Sequence, residues 1–478
     1  MPLTLGLFGL ISVGLRLPFL SVPLITDEGG YAYIAYWMGR GLALYRDLWF
    51  DRPQGIFLVY AAILNAFGDS TEAIRLAAAL YNGGTTVLLG LLGIRLFGRL
   101  AGLGAAAIFA VASASPAIEG FTANGELFMN LPVVLSLLLA AQRRLVPAGV
   151  ALALAMAIKP TALPAAAPAL LALLVTDAAW QTGARDRSGA LARLAGGFLL
   201  GLAPFAGHGL ATGAQTYWYA VVGFRVQAHS AFSVGSPLIG ELWRTAPTVV
   251  AALLPVWLLA FYGLAGRGGR GGRGAAVAVA FAVGSLAGAA AGGYWYWHYY
   301  AGLVPPLALL AGAGAARLLE APWGAASLAV ALPSLGVALF FNARLVGDTP
   351  AATSWRIYRR PAYVVSREIA TYVAARTSAQ DTIYAAFAQA DLYFLSHRRS
   401  AGNHLYWTEI NRVPGALDVV LAALDDPLRR PKYVIQIDRE LETAGQAVPF
   451  WTRVDRLYAP ETEIGGFVLY RLRDQPPS

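Results

Sequence analysis

Residues 26–55 read TDEGGYAYIAYWMGRGLALYRDLWFDRPQG, and the rest of the chain is arranged around this stretch. It follows the first apolar run of the chain. It opens on two adjacent carboxylates, Asp27 and Glu28, and closes on Asp51, Arg52 and Pro53. Between them lie Tyr, Trp and a few charges, which makes this the most polar loop of the N-terminal half. A polar, aromatic-rich segment beside an apolar run belongs at a membrane surface.

The rest of the chain supports that setting. Of 478 residues, 57% are hydrophobic and only 13% charged, against roughly 25% charged in soluble domains. So few charges cannot cover a soluble body of this length, and most of the surface must face lipid. Ala and Gly dominate many apolar runs, which suits close helix packing in a bilayer. The absence of cysteine excludes disulfides and thiolate chemistry and leaves the redox compartment open. Residues 3–20 lack the basic flank and small-residue cleavage site of a signal peptide, so they are expected to remain as a first span.

Apolar runs place spans near 3–22, 74–94, 101–115, 127–141, 146–158, 161–176, 192–212, 244–263, 275–293, 299–316 and 323–342. Arg95 and Arg99, Arg143 and Arg144, Arg185 to Arg193, Arg267 to Arg273, and Arg317 then fall on one side, the cytoplasm by the positive-inside rule. Counting IFLVYAAILNAFG, residues 56–68, as a span would scramble this alternation. It is also short for a crossing, so it reads as an interfacial helix on the outer surface. The expectation is an α-helical polytopic membrane protein of about eleven spans with the N-terminus inside. The spans occupy residues 1–345, with an outer loop at 23–73. Residues 350–478 carry more charge and no apolar run of spanning length, and read as a small extracytoplasmic α/β domain. PAYVVSREIATYVAART and residues 415–425 are its helices; DTIYAAFA, KYVIQID and GFVLYRL are its buried strands. GRGGRGGRG at 266–274 reads as a flexible positive inner loop rather than an RNA-binding repeat.

Polar residues gather on the outer face, each with an ordinary and a chemical reading. Asp27 and Glu28 could be a solvated cap; alternatively Asp27 takes the proton of an acceptor hydroxyl, with Glu28 in support. Arg52-Pro53 could simply start a helix, or Arg52 pairs with a phosphate or a site carboxylate. Glu126, in FTANGELFMNLP, suits a helix N-terminus, and could equally bind an acceptor or orient a basic partner. Lys159, alone in AMAIKPTALP, runs against the positive-inside bias, and a boundary charge of this kind points to an anionic ligand such as a phosphate. His298, in GGYWYWHYYAGLVPP, belongs to an aromatic belt, or donates to a leaving phosphate. Tyr217, Trp218, Arg225 and His229 add polar groups from the loop 213–243. No HExxH, CxxC, Walker or Rossmann pattern occurs. Acidic and histidine side chains could hold a divalent ion after folding, but no ligand spacing demands one.

At these residues the chain resembles the GT-C glycosyltransferases, nearest to the bacterial protein-O-mannosyltransferase-like and aminoarabinose-transferase-like group. The first outer loop of that group begins Asp-Glu, passes through a Tyr, a Gly and a Tyr-x-Asp, and ends in a Pro-containing motif before an interfacial helix. Here the matching residues are Asp27-Glu28, Tyr31 or Tyr33, Gly41, Tyr45-Arg46-Asp47 and Arg52-Pro53. EAIRLAAALYN, ANGELFMNLP, AIKP and HYYAGLVPPLALL are similar to later signatures, so the resemblance covers residues 1–345. It implies inverting transfer of a sugar from a polyprenyl-phosphate donor at the extracytoplasmic face of a bacterial inner membrane. Asp27 matches the catalytic base, Lys159 and His298 match donor-phosphate positions, and Glu126 matches the acidic residue of the second outer loop. Tyr45 and Arg52 are carried over as substrate-binding residues. Relatives often have Pro-Pro, or Lys before Pro, where this chain has Arg52-Pro53-Gln54. The implied partners are the lipid donor, membrane lipid, and a protein, lipid or glycan acceptor, with no nucleic acid. A transporter or flippase of lipid-linked intermediates is the alternative. It predicts broken helices in paired halves and charges spread through the spans, whereas these polar residues collect at one face. A membrane assembly protein is a third class, and would tolerate loss of Asp27.

Overall fold

A computed structural model of the protein describes residues 1–176, 184–230, 237–265, 270–292, 294–321, 345, 347–437, 445 and 447–474. The expected last span at 323–342, residues 266–269 of the glycine-arginine repeat and the side chain of His229 lie outside that set.

Apolar sequence becomes helix throughout the first two-thirds. The helices are α1 (Pro2–Gly14), α2 (Thr26–Met38), α3 (Gln54–Phe67), α4 (Thr71–Phe97) and α5 (Arg99–Ala112). They continue as α6 (Gly125–Ala141), α7 (Leu145–Ile158), α8 (Ala162–Thr176), α9 (Ala184–Thr212), α10 (Ala214–Trp218) and α11 (Phe224–Ser230). After them come α12 (Pro237–Ala252), α13 (Leu254–Leu264), α14 (Arg270–Gly292) and α15 (Val304–Glu320). Among the described residues, Pro2–Phe19, Thr71–Phe97, Arg187–Thr212, Gly272–Ala291 and Trp297–Glu320 are long and apolar enough to cross a membrane. α3, α5, α6, α7 and α8 are apolar but shorter, with 14 to 17 residues. Leu199, Leu200, Leu210 and Phe261 are exposed by 62–70%, as lipid-facing side chains must be. Small residues bring helices together: a Cβ on Gly149 of α7 would lie 2.1 Å from the Leu194 carbonyl oxygen of α9.

The single span expected at 244–263 is instead a pair, α12 and α13, bent by 77°. The break falls at Leu253, two residues before Pro255 in the first turn of α13. Proline lacks the N–H that would continue α12 and disfavours helical geometry at the residue before it. α3 forms where the interfacial helix was expected. Its 14 residues are fewer than the roughly 20 a crossing needs.

The C-terminal part is an α/β unit. β1 (Thr382–Ala386), β2 (Arg399–Ser400), β3 (Tyr433–Gln436), β4 (Tyr458–Ile464) and β5 (Phe467–Leu472) form one sheet in the order β2-β1-β3-β5-β4. β1 pairs in parallel with β2 and β3, and β5 runs antiparallel to β3 and β4. The helices Pro361–Ala374 and Ala416–Asp425 stand where the sequence placed them. β2, β4 and the helix Val448–Leu457 are additions; β4 contains Pro460 and lies at the sheet edge, where proline is tolerated.

This unit docks directly on α2. A Cβ on Gly29 would lie 2.3 Å from the Asp391 Cα, and one on Gly30 would lie 2.2 Å from the Tyr406 hydroxyl. Trp49 N–H donates to the Asn403 carbonyl, and Ser400 N–H donates to the Tyr33 hydroxyl. The Asp-Glu-Gly-Gly run therefore works as one piece: carboxylates at the helix start, and two bare positions for a second backbone.

Candidate active site

α2 begins at Thr26, so Asp27 and Glu28 occupy its first turn, where carboxylates are favoured by the helix dipole. Their side chains part company there. Glu28 is fully buried. Its Oε2 pairs with Arg75 of α4 at 2.7 Å and accepts from Ile25 N–H, while Oε1 accepts from Ala123 N–H at 2.6 Å. Burial pushes its carboxyl above the usual range, and Arg75 with the two N–H groups pulls it down. Asp27 keeps 31% of its side chain exposed.

Asp27 faces His298. His298 Nε2 lies 3.9 Å from Asp27 Oδ2, and its Nδ1 is bonded to Glu119 Oε2 at 2.9 Å. The imidazole is thus held from one side and turned toward Asp27 with the other nitrogen. Glu119 ends the short helix Pro116–Ile118 in a left-handed conformation, φ 51°. Strained backbone of this type persists only where the surroundings fix it. Here Arg16, buried in the apolar part, fixes it by donating to the Gly120 and Ser113 carbonyls.

Arg52, Lys159 and Glu126 form a second cluster. Arg52 Nη1 pairs with Asp51 Oδ1 at 2.7 Å, and Arg225 pairs with the other Asp51 oxygen at 2.6 Å. Tyr45, itself left-handed at φ 71°, donates its hydroxyl to the Arg52 carbonyl at 2.7 Å and so braces the loop. Lys159 ends α7 in an extended conformation that Pro160 enforces. Its ammonium is hydrogen-bonded to Glu126, which opens α6, and lies 4.5 Å above the Tyr299 ring. Tyr299 meets His298 edge-on at 5.1 Å, linking the clusters. Arg52 and Lys159 both lie within electrostatic reach of Asp27.

Asp27, Glu119 and His298 open onto a cavity of about 740 Å³. That is the size of a small-molecule site. Its far wall comes from the C-terminal unit: Arg360, Tyr363, Gln389, Gly466 and Phe467. Glu28, Tyr45, Arg52, Glu126 and Lys159 do not line it.

Sequence reasoning passed over Glu119, Arg75, Arg16 and Gln389. Glu119 carries no motif, and its signal was only an acid in an outer turn, SPAIEG. Arg75 and Arg16 were legible as charges inside apolar runs, which call for partners. Gln389 had no signal.

The family model described as dolichyl-phosphate-mannose-protein mannosyltransferase matches residues 51–208. ArnT from Cupriavidus metallidurans, solved with bound undecaprenyl phosphate, superposes with a TM-score of 0.69 at 14% identity, over 97% of each chain. This chain shares the fold of ArnT. The Archaeoglobus fulgidus oligosaccharyltransferase, solved with a tethered acceptor peptide, gives 0.55 at 13% identity, over 98% of this chain and 74% of that one. The archaeal oligosaccharyltransferase AglB from Archaeoglobus fulgidus, in complex with an inhibitory peptide and a dolichol-phosphate, gives 0.52 at 14% identity. No curated protein matches by sequence.

Proposed function

We propose that the protein transfers a sugar from a polyprenyl-phosphate donor to an acceptor hydroxyl, with inversion, using Asp27 as general base. The reaction is placed at the extracytoplasmic face of a bacterial inner membrane, with the N-terminus cytoplasmic and residues 350–478 outside. The observation that carries this reading is Asp27 itself, a partly exposed carboxylate at a helix start, opening onto a cavity of about 740 Å³. Asp27 takes the hydroxyl proton as the acceptor oxygen attacks the anomeric carbon. The bond from that carbon to the phosphate oxygen breaks, and the polyprenyl phosphate leaves with the electron pair. Attack and departure on opposite faces invert the centre.

The leaving phosphate needs positive charge. Arg52 and Lys159 supply it, each held ready by a carboxylate, Asp51 and Glu126. His298 was expected beside the phosphate; its contacts with Asp27 and Glu119 favour a part in orienting the base. The bonds of Glu28 suit it to holding the first turn of α2. Whether a divalent cation shares the phosphate charge is read by repeating the assay in chelator.

The test uses purified protein, radiolabelled polyprenyl-phosphate sugars and a membrane extract. A labelled product of inverted anomeric configuration is expected. Release of free sugar alone, or retention of configuration, would contradict the reading.

A further inference from the structure

The residue before the proposed base is held by the C-terminal unit. The Thr26 hydroxyl donates to Gln389 Oε1 at 3.0 Å. Gln389 Nε2 donates to the Ser366 hydroxyl at 3.3 Å, which in turn donates to the Ala362 carbonyl at 2.7 Å. The Tyr406 hydroxyl donates to the Thr26 carbonyl at 3.0 Å. Both polar ends of the Gln389 amide are therefore satisfied in a chain that runs into the helix Pro361–Ala374.

The placement of Gln389 is specific. It is 5% exposed and left-handed, with φ 58°. It follows the carboxyl end of β1, and Ile437 follows that of β3. The strand that follows β1, β2, lies on one side of it, and the strand that follows β3, β4, lies at the opposite edge of the sheet. Adjacent parallel strands whose connections diverge create a crevice at their carboxyl ends, where open α/β sheets place their functional groups. Ala388, Gln389 and Ile437 line the cavity beside Thr26 and Asp27.

We propose that Gln389 is a positioning residue for Asp27, fixing the first turn of α2 through the Thr26 hydroxyl so that the carboxylate is aimed into the cavity. This rests on the reading of Asp27 as the base. The docking of the unit does not depend on this one bond. Gly29 against Asp391, Gly30 against Tyr406, and the Trp49 and Tyr33 hydrogen bonds hold it independently. Glu28 anchors the same turn to Arg75 and Ala123 from the side of the helical bundle. Loss of the Gln389 bond should therefore free the direction of Asp27 while leaving the fold in place.

The experiment uses the full chain in nanodiscs with a panel of radiolabelled polyprenyl-phosphate sugars and a membrane extract as acceptor. Gln389→Ala should lower kcat on the order of 10- to 100-fold, the scale of a small misplacement. The donor KM and the thermal unfolding midpoint should stay close to those of the unaltered chain. Gln389→Glu keeps an acceptor oxygen for Thr26 and should restore most of the rate. Thr26→Val removes the other partner and should reproduce the loss, with the double variant no worse than either single one. It also decides the matter if Gln389→Ala fails to fold. Unchanged kcat in Gln389→Ala and Thr26→Val, additive losses in the double variant, or an equal loss in Gln389→Glu would overturn the proposal. Full activity in Asp27→Asn, or no transfer by the unaltered chain, would instead overturn the reading beneath it.

Discussion

Asp27 leaves 31% of its side chain open, while Glu28, one residue later, leaves none. The difference follows from helix geometry: consecutive residues project about 100° apart, so one turns to the cavity and the next to α4 and the 119–123 turn. Adjacent acids in the sequence announced that they would diverge. What stayed hidden were the partners of Glu28 and of His298. Arg75 lies 47 residues from Glu28, and Glu119 lies 179 residues from His298. Nothing local encodes either pairing. The pairing does set a cost for breaking it. Glu28→Gln leaves the Arg75 guanidinium buried without its counter-charge, and stability should fall by roughly 3–5 kcal/mol. Thermal or denaturant unfolding of the purified protein reads that loss, and a change within a few tenths of a kcal/mol would contradict the pairing.

At the scale of elements, the seam between α2 and the C-terminal unit is built from glycine and buried acids. Gly29→Ala sets a methyl group against the Asp391 backbone, and since backbone cannot step aside as a flexible side chain can, the unit should lift from α2. Overpacking of this sort costs about 1–3 kcal/mol. Limited proteolysis should cut the C-terminal unit faster in that variant, and an unchanged pattern would count against the seam. Burial pushes the Asp391 carboxyl up to about 7 from an ordinary 3.8, with the Ser366 hydroxyl pulling the other way. Asp51 is pushed up to about 6, and Glu409 is also raised, both chiefly by burial. Across that window the folded chain holds protons that the unfolded chain has released. Stability from these groups is therefore complete below pH 3.8 and declines as pH rises toward about 7. Unfolding midpoints should drop between about pH 4 and pH 7, and Asp391→Asn should flatten part of the slope. A midpoint that rises over that range would contradict the assignment. Periodicity made the helices and the three inner strands legible. The bend at Leu253 was announced by Pro255 and read past, because the apolar run continues through it. Edge strand β4 hid behind Pro460 and its charges.

For the molecule as a whole, the positive-inside rule predicts an orientation from the charges and apolar lengths. A chain without cysteine is suited to testing it. A cysteine at Arg46, exposed by 71% on the α2–α3 loop, should react with a membrane-impermeant maleimide in intact cells. One at Arg143, between α6 and α7, should react only after permeabilisation, and the reverse pattern would invert the topology. The overall architecture was readable because lipid imposes composition on the sequence; the cavity was not, because its walls come from segments more than 300 residues apart, Asp27 and Gln389 among them. Asp27 is proposed to take the acceptor proton, and single-turnover transfer from a radiolabelled polyprenyl-phosphate sugar by Asp27→Asn, in protein with an unaltered unfolding midpoint, is the decisive measurement. A loss on the order of 10²- to 10⁴-fold is expected, the contribution of a positioned general base. Transfer at the rate of the unaltered protein would contradict it.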